Sequence, residues 1–203
     1  MSPGREDIGA LEPPPSDLPQ RRLVLREHPG PMVRIQSLRH TRLRFGSAAY
    51  YRFDAPKGEF GTLYVADDLA GALVETREPR EENHGPVISF EWLRKKGLAT
   101  VRFQRTLRLA DVTDAAGLLA IGADNRLTTG PRRAAQLWGR ALWQHPAHID
   151  GIYCFARRGP RYAVAVLFDD RCEADIALDG VQPLLQHPQL RAVLNELGVR
   201  LVP

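Results

Sequence analysis

Four side chains in the first half of the chain, Arg34, Arg52, Tyr64 and Glu75, form the group whose residue types could carry chemistry. An arginine fork matches the oxygens of a phosphate or carboxylate. A tyrosine ring either fills a core or offers a stacking face. A glutamate is a counter-charge or an ordinary solvated residue. On a helical wheel Glu75 lies roughly 120° from the apolar stripe of Leu69, Ala72, Leu73 and Thr76. It shares a face with Gly71, which leaves room for a ligand to approach the helix beside it.

Other chemistries find less support. No glycine-rich phosphate loop, zincin helix or nucleophile elbow is present. Serine occurs at positions 2, 16, 37, 47 and 89 and nowhere later. None of these falls on a strand-to-helix elbow, which argues against a serine hydrolase. His145 and His148 are three apart with Pro146 between them, so they lack the helical geometry of a metal pair, and no metal is expected. Cys154 sits in an apolar strand and reads as a small core residue.

The chain has 203 residues, 43% hydrophobic and 26% charged, which fits one globular domain. No apolar run approaches the ~20 residues of a membrane span, and no signal-peptide pattern opens the chain. A cytoplasmic protein is expected. Lysine and arginine number 28 against 24 acidic residues, a net +4. Only Lys57, Lys95 and Lys96 are lysines. The excess permits nucleic-acid binding, but no nucleic-acid motif accompanies it.

The elements that must hold these residues follow from periodicity. Residues 1–31 are proline-rich and read as a flexible segment, loosely draped to about residue 20. The domain proper is expected over 32–203. Strands are expected at Met32–Leu38, Gly61–Ala66, Val87–Phe90 and Leu98–Leu109. Ile149–Phe155 and Arg161–Phe168 read as a hairpin, followed by strands at Ala174–Leu178 and Val199–Val202. Asp67 or Asp68 caps a helix running to about Arg77. Residues 78–85 read as an exposed turn. Further helices are expected at Thr113–Gly122, capped by Thr113, from Pro131 through Leu142, and at Pro188–Leu197. The irregular interleaving indicates an α+β domain with a mixed, mainly antiparallel sheet flanked by helices.

Taken in order, several segments resemble the RES domain family, toxins of bacterial type II toxin–antitoxin modules. They are Val33-Arg34-Ile35, Tyr51-Arg52-Phe53, Leu63-Tyr64-Val65-Ala66 and Ala72-Leu73-Val74-Glu75. Later come Gln136-Leu137-Trp138-Gly139, Asp150-Gly151-Ile152 and Ala163–Phe168. The resemblance covers about residues 32–202. It implies an ADP-ribosyltransferase-like fold and NAD+ as substrate, consumed by phosphorolysis or hydrolysis or by transfer of ADP-ribose to a protein. It casts Glu75 and Arg52 as catalytic, with Arg34 and Arg52 on the diphosphate and Tyr64 against the nicotinamide ring. It also implies a cognate antitoxin as partner, with no direct nucleic-acid or membrane contact.

Two positions depart from the family pattern. The substrate-binding position at which the resemblance expects a serine before arginine is Ala156 here, and Cys154 stands where a tyrosine is expected. No serine or threonine follows Thr129. Loss of one hydrogen bond in the site would cost ~1–3 kcal/mol. A rival to the enzyme reading is therefore a non-catalytic nucleotide-binding module.

Overall fold

A computed structural model of the chain describes residues 11–76, 80–82 and 85–203. The strands of the main sheet are β1 (Leu25–His28), β2 (Met32–Ser37) and β3 (Thr62–Ala66), then β6 (Lys96–Phe103), β7 (Leu107–Asp111), β8 (Gly151–Ala156), β9 (Gly159–Phe168) and β10 (Ile176–Pro183). A small second sheet holds β4 (Arg80–Glu82), β5 (Gly85–Ser89) and β11 (Arg200–Val202). The eight strands lie in the order β1-β7-β8-β9-β3-β2-β6-β10. Every neighbouring pair is antiparallel except β7 with β8. The expected mixed, mainly antiparallel sheet is what forms.

Side chains alternate across this sheet as the pleat requires. Val164, Val166 and Phe168 of β9 join one buried cluster, together with α1 (Leu69–Thr76) and α5 (Arg132–Trp143). Ala165 and Leu167 join a smaller cluster on the opposite face with Leu63, Val65 and Val101. Tyr64 and Ala66 therefore face α1, while their neighbours on β3 face away. The remaining helices are α2 (Phe90–Arg94), α3 (Ala115–Ile121), α4 (Arg126–Thr129), α6 (Asp169–Cys172) and α7 (Leu190–Glu196).

The sheet is split at one place. β2 follows β6 in register from Met32–Val101 to Ser37–Lys96. β3 follows β9 from Thr62–Phe168 to Ala66–Val164. Between themselves β2 and β3 share a single registered pair, Val33 with Ala66. They diverge beyond that point, and the gap between them is where the site lies.

Several expectations are corrected. Residues 11–28 are packed into the domain and are no loose tail. Leu11, Leu18 and Leu23 are buried in the main cluster. Glu12 accepts a hydrogen bond from the Trp138 indole, and β1 pairs with β7. Isolated leucines among prolines show no periodicity, yet each fills a pocket made by distant chain. Residues 1–10 lie outside the described residues. The expected strand over Leu98–Leu109 is two strands, because Arg105 leaves the ladder to bond Asp150 and Asp175. The cap of α3 is Asp114, which accepts from the Gly117 amide, while Thr113 turns to Asp111. Part of the expected turn over 78–85 is strand, with β4 and β5 paired; residues 77–79 and 83–84 lie outside the described residues.

Candidate active site

Helix α1 carries Glu75 to the gap between β2 and β3. Asp68 starts it by accepting from the Gly71 amide. Asp67 serves elsewhere, accepting from the Tyr153 hydroxyl and facing His28. Leu69, Ala70, Ala72 and Leu73 are buried against the sheet. Gly71 is buried with them, and a Cβ there would stand 3.1 Å from Ala66 Cβ and 3.3 Å from the Ala163 carbonyl oxygen. The absent side chain lets α1 lie close on β3 and β9; it opens no space for a ligand, contrary to the wheel reading. Thr76, expected inward, is exposed at the end of the helix beside Glu75.

Two cavities meet at Glu75. The smaller, about 380 Å³, lies in the split and is walled by Arg34, Arg44, Thr62 and Tyr64. The larger, about 730 Å³, is walled by Arg52, Trp92, Lys96, Arg132, Cys154, Arg157 and Arg158. Tyr51, Tyr64, Glu75 and Thr76 line both. Each is within the usual size range of a small-molecule site.

A pinned loop presents Arg52. Asp54 is buried and accepts from the amides of Tyr50 and Tyr51, and its other oxygen accepts from the Thr62 hydroxyl. The Phe53 amide donates to the Tyr64 hydroxyl at 2.8 Å. Gln136 of α5 donates to the carbonyls of Ala49 and Tyr51. Gly139, one turn on, allows α5 to touch the loop: a Cβ there would sit 2.7 Å from the Phe53 carbonyl oxygen. Arg52 is thus held on both sides by fixed backbone, and its guanidinium faces Glu75, Arg157 and Tyr64. Tyr50, Tyr51 and Tyr64 run inward as a ladder of ring contacts, with centroids 5.1 and 5.4 Å apart.

Electrostatics single out the same residues. Burial pushes the Glu75 carboxyl above its ordinary pKa, and the guanidiniums of Arg52 and Arg158 oppose that shift. Burial lowers the Arg34 pKa, and its buried Nε has no hydrogen-bond partner among the described residues. A buried donor aimed at a cavity wants an acceptor. Arg52 is lowered by burial and then by repulsion from Arg157. Burial raises Tyr64 well above a free phenol, so it stays neutral.

The split therefore brings together Arg34, Arg52, Tyr64 and Glu75. It does not include Ala156, which is 2% exposed in the core and lines neither cavity. Cys154, two residues earlier on the same face of β8, reaches the wall of the larger cavity; burial raises its thiol pKa far above neutrality. His145 and His148 are apart from the site: His145 bonds the Arg21 carbonyl, and His148 meets Arg171. Among the described residues no group of three or more His, Cys, Asp or Glu has the geometry of a metal site. Sequence reasoning missed Tyr51, Thr76, Lys96, Arg132, Arg157 and Arg158 as lining residues. Tyr51 adjoins Arg52 and Thr76 adjoins Glu75, so their places were available from adjacency; Lys96, Arg132 and the turn residues Arg157 and Arg158 come from separate elements.

These features define a class: a single α+β domain with a split sheet and a carboxylate among arginines at the split. The fold matches a chain in the crystal structure of the M. tuberculosis MbcT–MbcA toxin–antitoxin complex, with a TM-score of 0.61 at 21% identity, over 88% of this chain and 98% of that one. At that identity the likeness is one of fold. The model of the RES domain family matches residues 31–189, and the chain belongs to this family. No curated protein matches it.

Proposed function

We propose that the protein is the toxin of a toxin–antitoxin pair and cleaves the nicotinamide–ribose bond of NAD+ in the cytoplasm. The observation that carries this reading is the placement of one half-buried carboxylate, Glu75, on the wall shared by two arginine-lined cavities. Membership of the RES domain family and the fold shared with a toxin–antitoxin structure support the toxin role. Among the described residues, no helix is long and apolar enough to cross a membrane.

The chemistry suits the residues. When the glycosidic C–N bond breaks, its electron pair leaves with nicotinamide and positive charge develops on the ribose C1. Glu75 as a carboxylate stabilises that charge, most strongly in a site shielded from water. An oxygen of water or inorganic phosphate then bonds C1 and gives up a proton to solvent. Arg34 and Arg52 hold the diphosphate by charge-assisted hydrogen bonds. Tyr64 supports the Arg52 loop through its hydroxyl and offers its ring to the pyridine.

The test is release of nicotinamide from NAD+ by purified protein freed of any partner, with and without inorganic phosphate, beside Glu75→Gln. Release by the wild type and a loss of 10²-fold or more in the variant are expected. Dependence on phosphate separates phosphorolysis from hydrolysis. Label from NAD+ appearing on protein would replace this reading with protein ADP-ribosylation. Equal release by Glu75→Gln would overturn the role given to Glu75.

A further inference from the structure

The larger cavity holds more positive charge than a diphosphate needs. Lys96, Arg132 and Arg157 line it in addition to Arg52, and among the described residues Glu75 is its one acidic lining residue. Among the described residues none of these four cations makes an ion pair. Elsewhere, arginines of this chain commonly do: Arg26 with Asp111, Arg105 with Asp150, and Arg140 with Glu59. Arg157 instead repels Arg52. Like charges gathered in a concave site without counter-ions are relieved by a bound anion.

Aromatic rings accompany two of these cations. The Lys96 ammonium lies 5.3 Å from the centroid of Trp92, and the Arg132 guanidinium 5.7 Å from that of Tyr50. Arg132 is also fixed in place by donating to the Tyr50 carbonyl at 2.9 Å. A flat ring beside an unneutralised cation is what a purine with a phosphate on its own ribose requires. The ring stacks and the phosphate is met by ammonium or guanidinium.

We infer that Lys96, Arg132 and Arg157 form a subsite for a third phosphate, so that the preferred substrate is a pyridine dinucleotide phosphorylated on the adenosine ribose, as in NADP+. This rests on the dinucleotide-cleaving reading above and narrows its substrate class. A phosphomonoester there adds about −1.5 to −2 charge at pH 7, which answers the surplus cations. The diphosphate stays with Arg34 and Arg52, and the bond cleaved is the same.

The experiment compares binding of ADP-ribose and 2′-phospho-ADP-ribose by titration calorimetry, together with kcat/KM for NAD+ and NADP+. The phosphorylated ligand is expected to bind at least tenfold tighter, with kcat/KM favouring NADP+ in the same direction. Lys96→Gln and Arg157→Gln should each bring that ratio down several-fold. Arg102→Gln, an exposed arginine of β6 that lines neither cavity, should leave it unchanged. Equal affinity for the two ligands overturns the subsite and leaves the parent reading standing, as does a preference that both cavity variants retain. Failure of both ligands to bind, with no nicotinamide released from either dinucleotide, overturns the parent reading and the subsite with it.

Discussion

Burial opposes the charge on Glu75, and Arg52 and Arg158 offset part of that opposition. Its folded-state pKa lies above the unfolded one, so the native state keeps a proton over a window in which the unfolded chain has released it. Stability therefore falls as pH rises through that window and stays lower above it. Glu75→Gln is expected to melt at a higher temperature than wild type at pH 8, and at the same temperature below pH ~4, where both states are protonated. A melting curve at each pH checks this. For turnover the sign is opposite. Under the proposed function the ionised form is the working one, so kcat/KM should fall on acidification at a higher pH than an ordinary carboxylate, whose pKa is ~4.3, would give. Tyr64→Phe removes the acceptor of the Phe53 amide. Urea titration should show a loss of ~1–3 kcal/mol, with KM raised because the Arg52 loop is released.

At the scale of elements, the contact between α5 and the 49–54 loop positions the site without touching substrate. Gly139→Ala would force the Phe53 carbonyl away from a Cβ at 2.7 Å. Overpacking of this kind costs ~1–3 kcal/mol. Under the proposed function it should raise KM for NAD+ by more than its lowered melting temperature accounts for, whereas Leu137→Ala on the exposed side of the same helix should do neither. Much of this level was legible in the sequence. The alternation in β3 and β9 and the stripe of α1 locate the elements, because period is a local property. Arg34 and Glu75 could be found because they lie on such elements. The split between β2 and β3 was not legible, since which strands separate depends on partners far along the chain. Nor was the position of Ala156 in the core, because a strand pattern does not say how deep its end lies. The charge surplus around Lys96, Arg132 and Arg157 was hidden for the same reason, as these cations come from three elements that meet only in the fold.

At the scale of the whole molecule, the sheet is closed at one end by the segment before the family match begins. Leu18 is 2% exposed, Arg26 binds Asp111 and lies over the Tyr153 ring, and β1 completes the sheet beside β7. Removing residues 1–28 should therefore do more than trim a tail. We expect either insoluble protein or a strongly lowered unfolding midpoint. Leu18→Ala alone should cost ~2–5 kcal/mol by urea titration. An unchanged midpoint in both would mean that the segment only rests on the surface.

The bond between the Trp138 indole and the Glu12 carbonyl spans 126 positions of chain. A ribosome adding ~5–20 residues per second makes Glu12 roughly 6–25 seconds before the tryptophan it awaits. The first described residues thus emerge with their partners unmade, and the sheet cannot be completed until β8, β9 and β10, all made after α5, have left the exit tunnel. For most of its synthesis the chain is an unfinished domain, with the Arg52 loop still lacking the helix that braces it. A protein that binds the nascent chain has that interval in which to act before the cleft is complete.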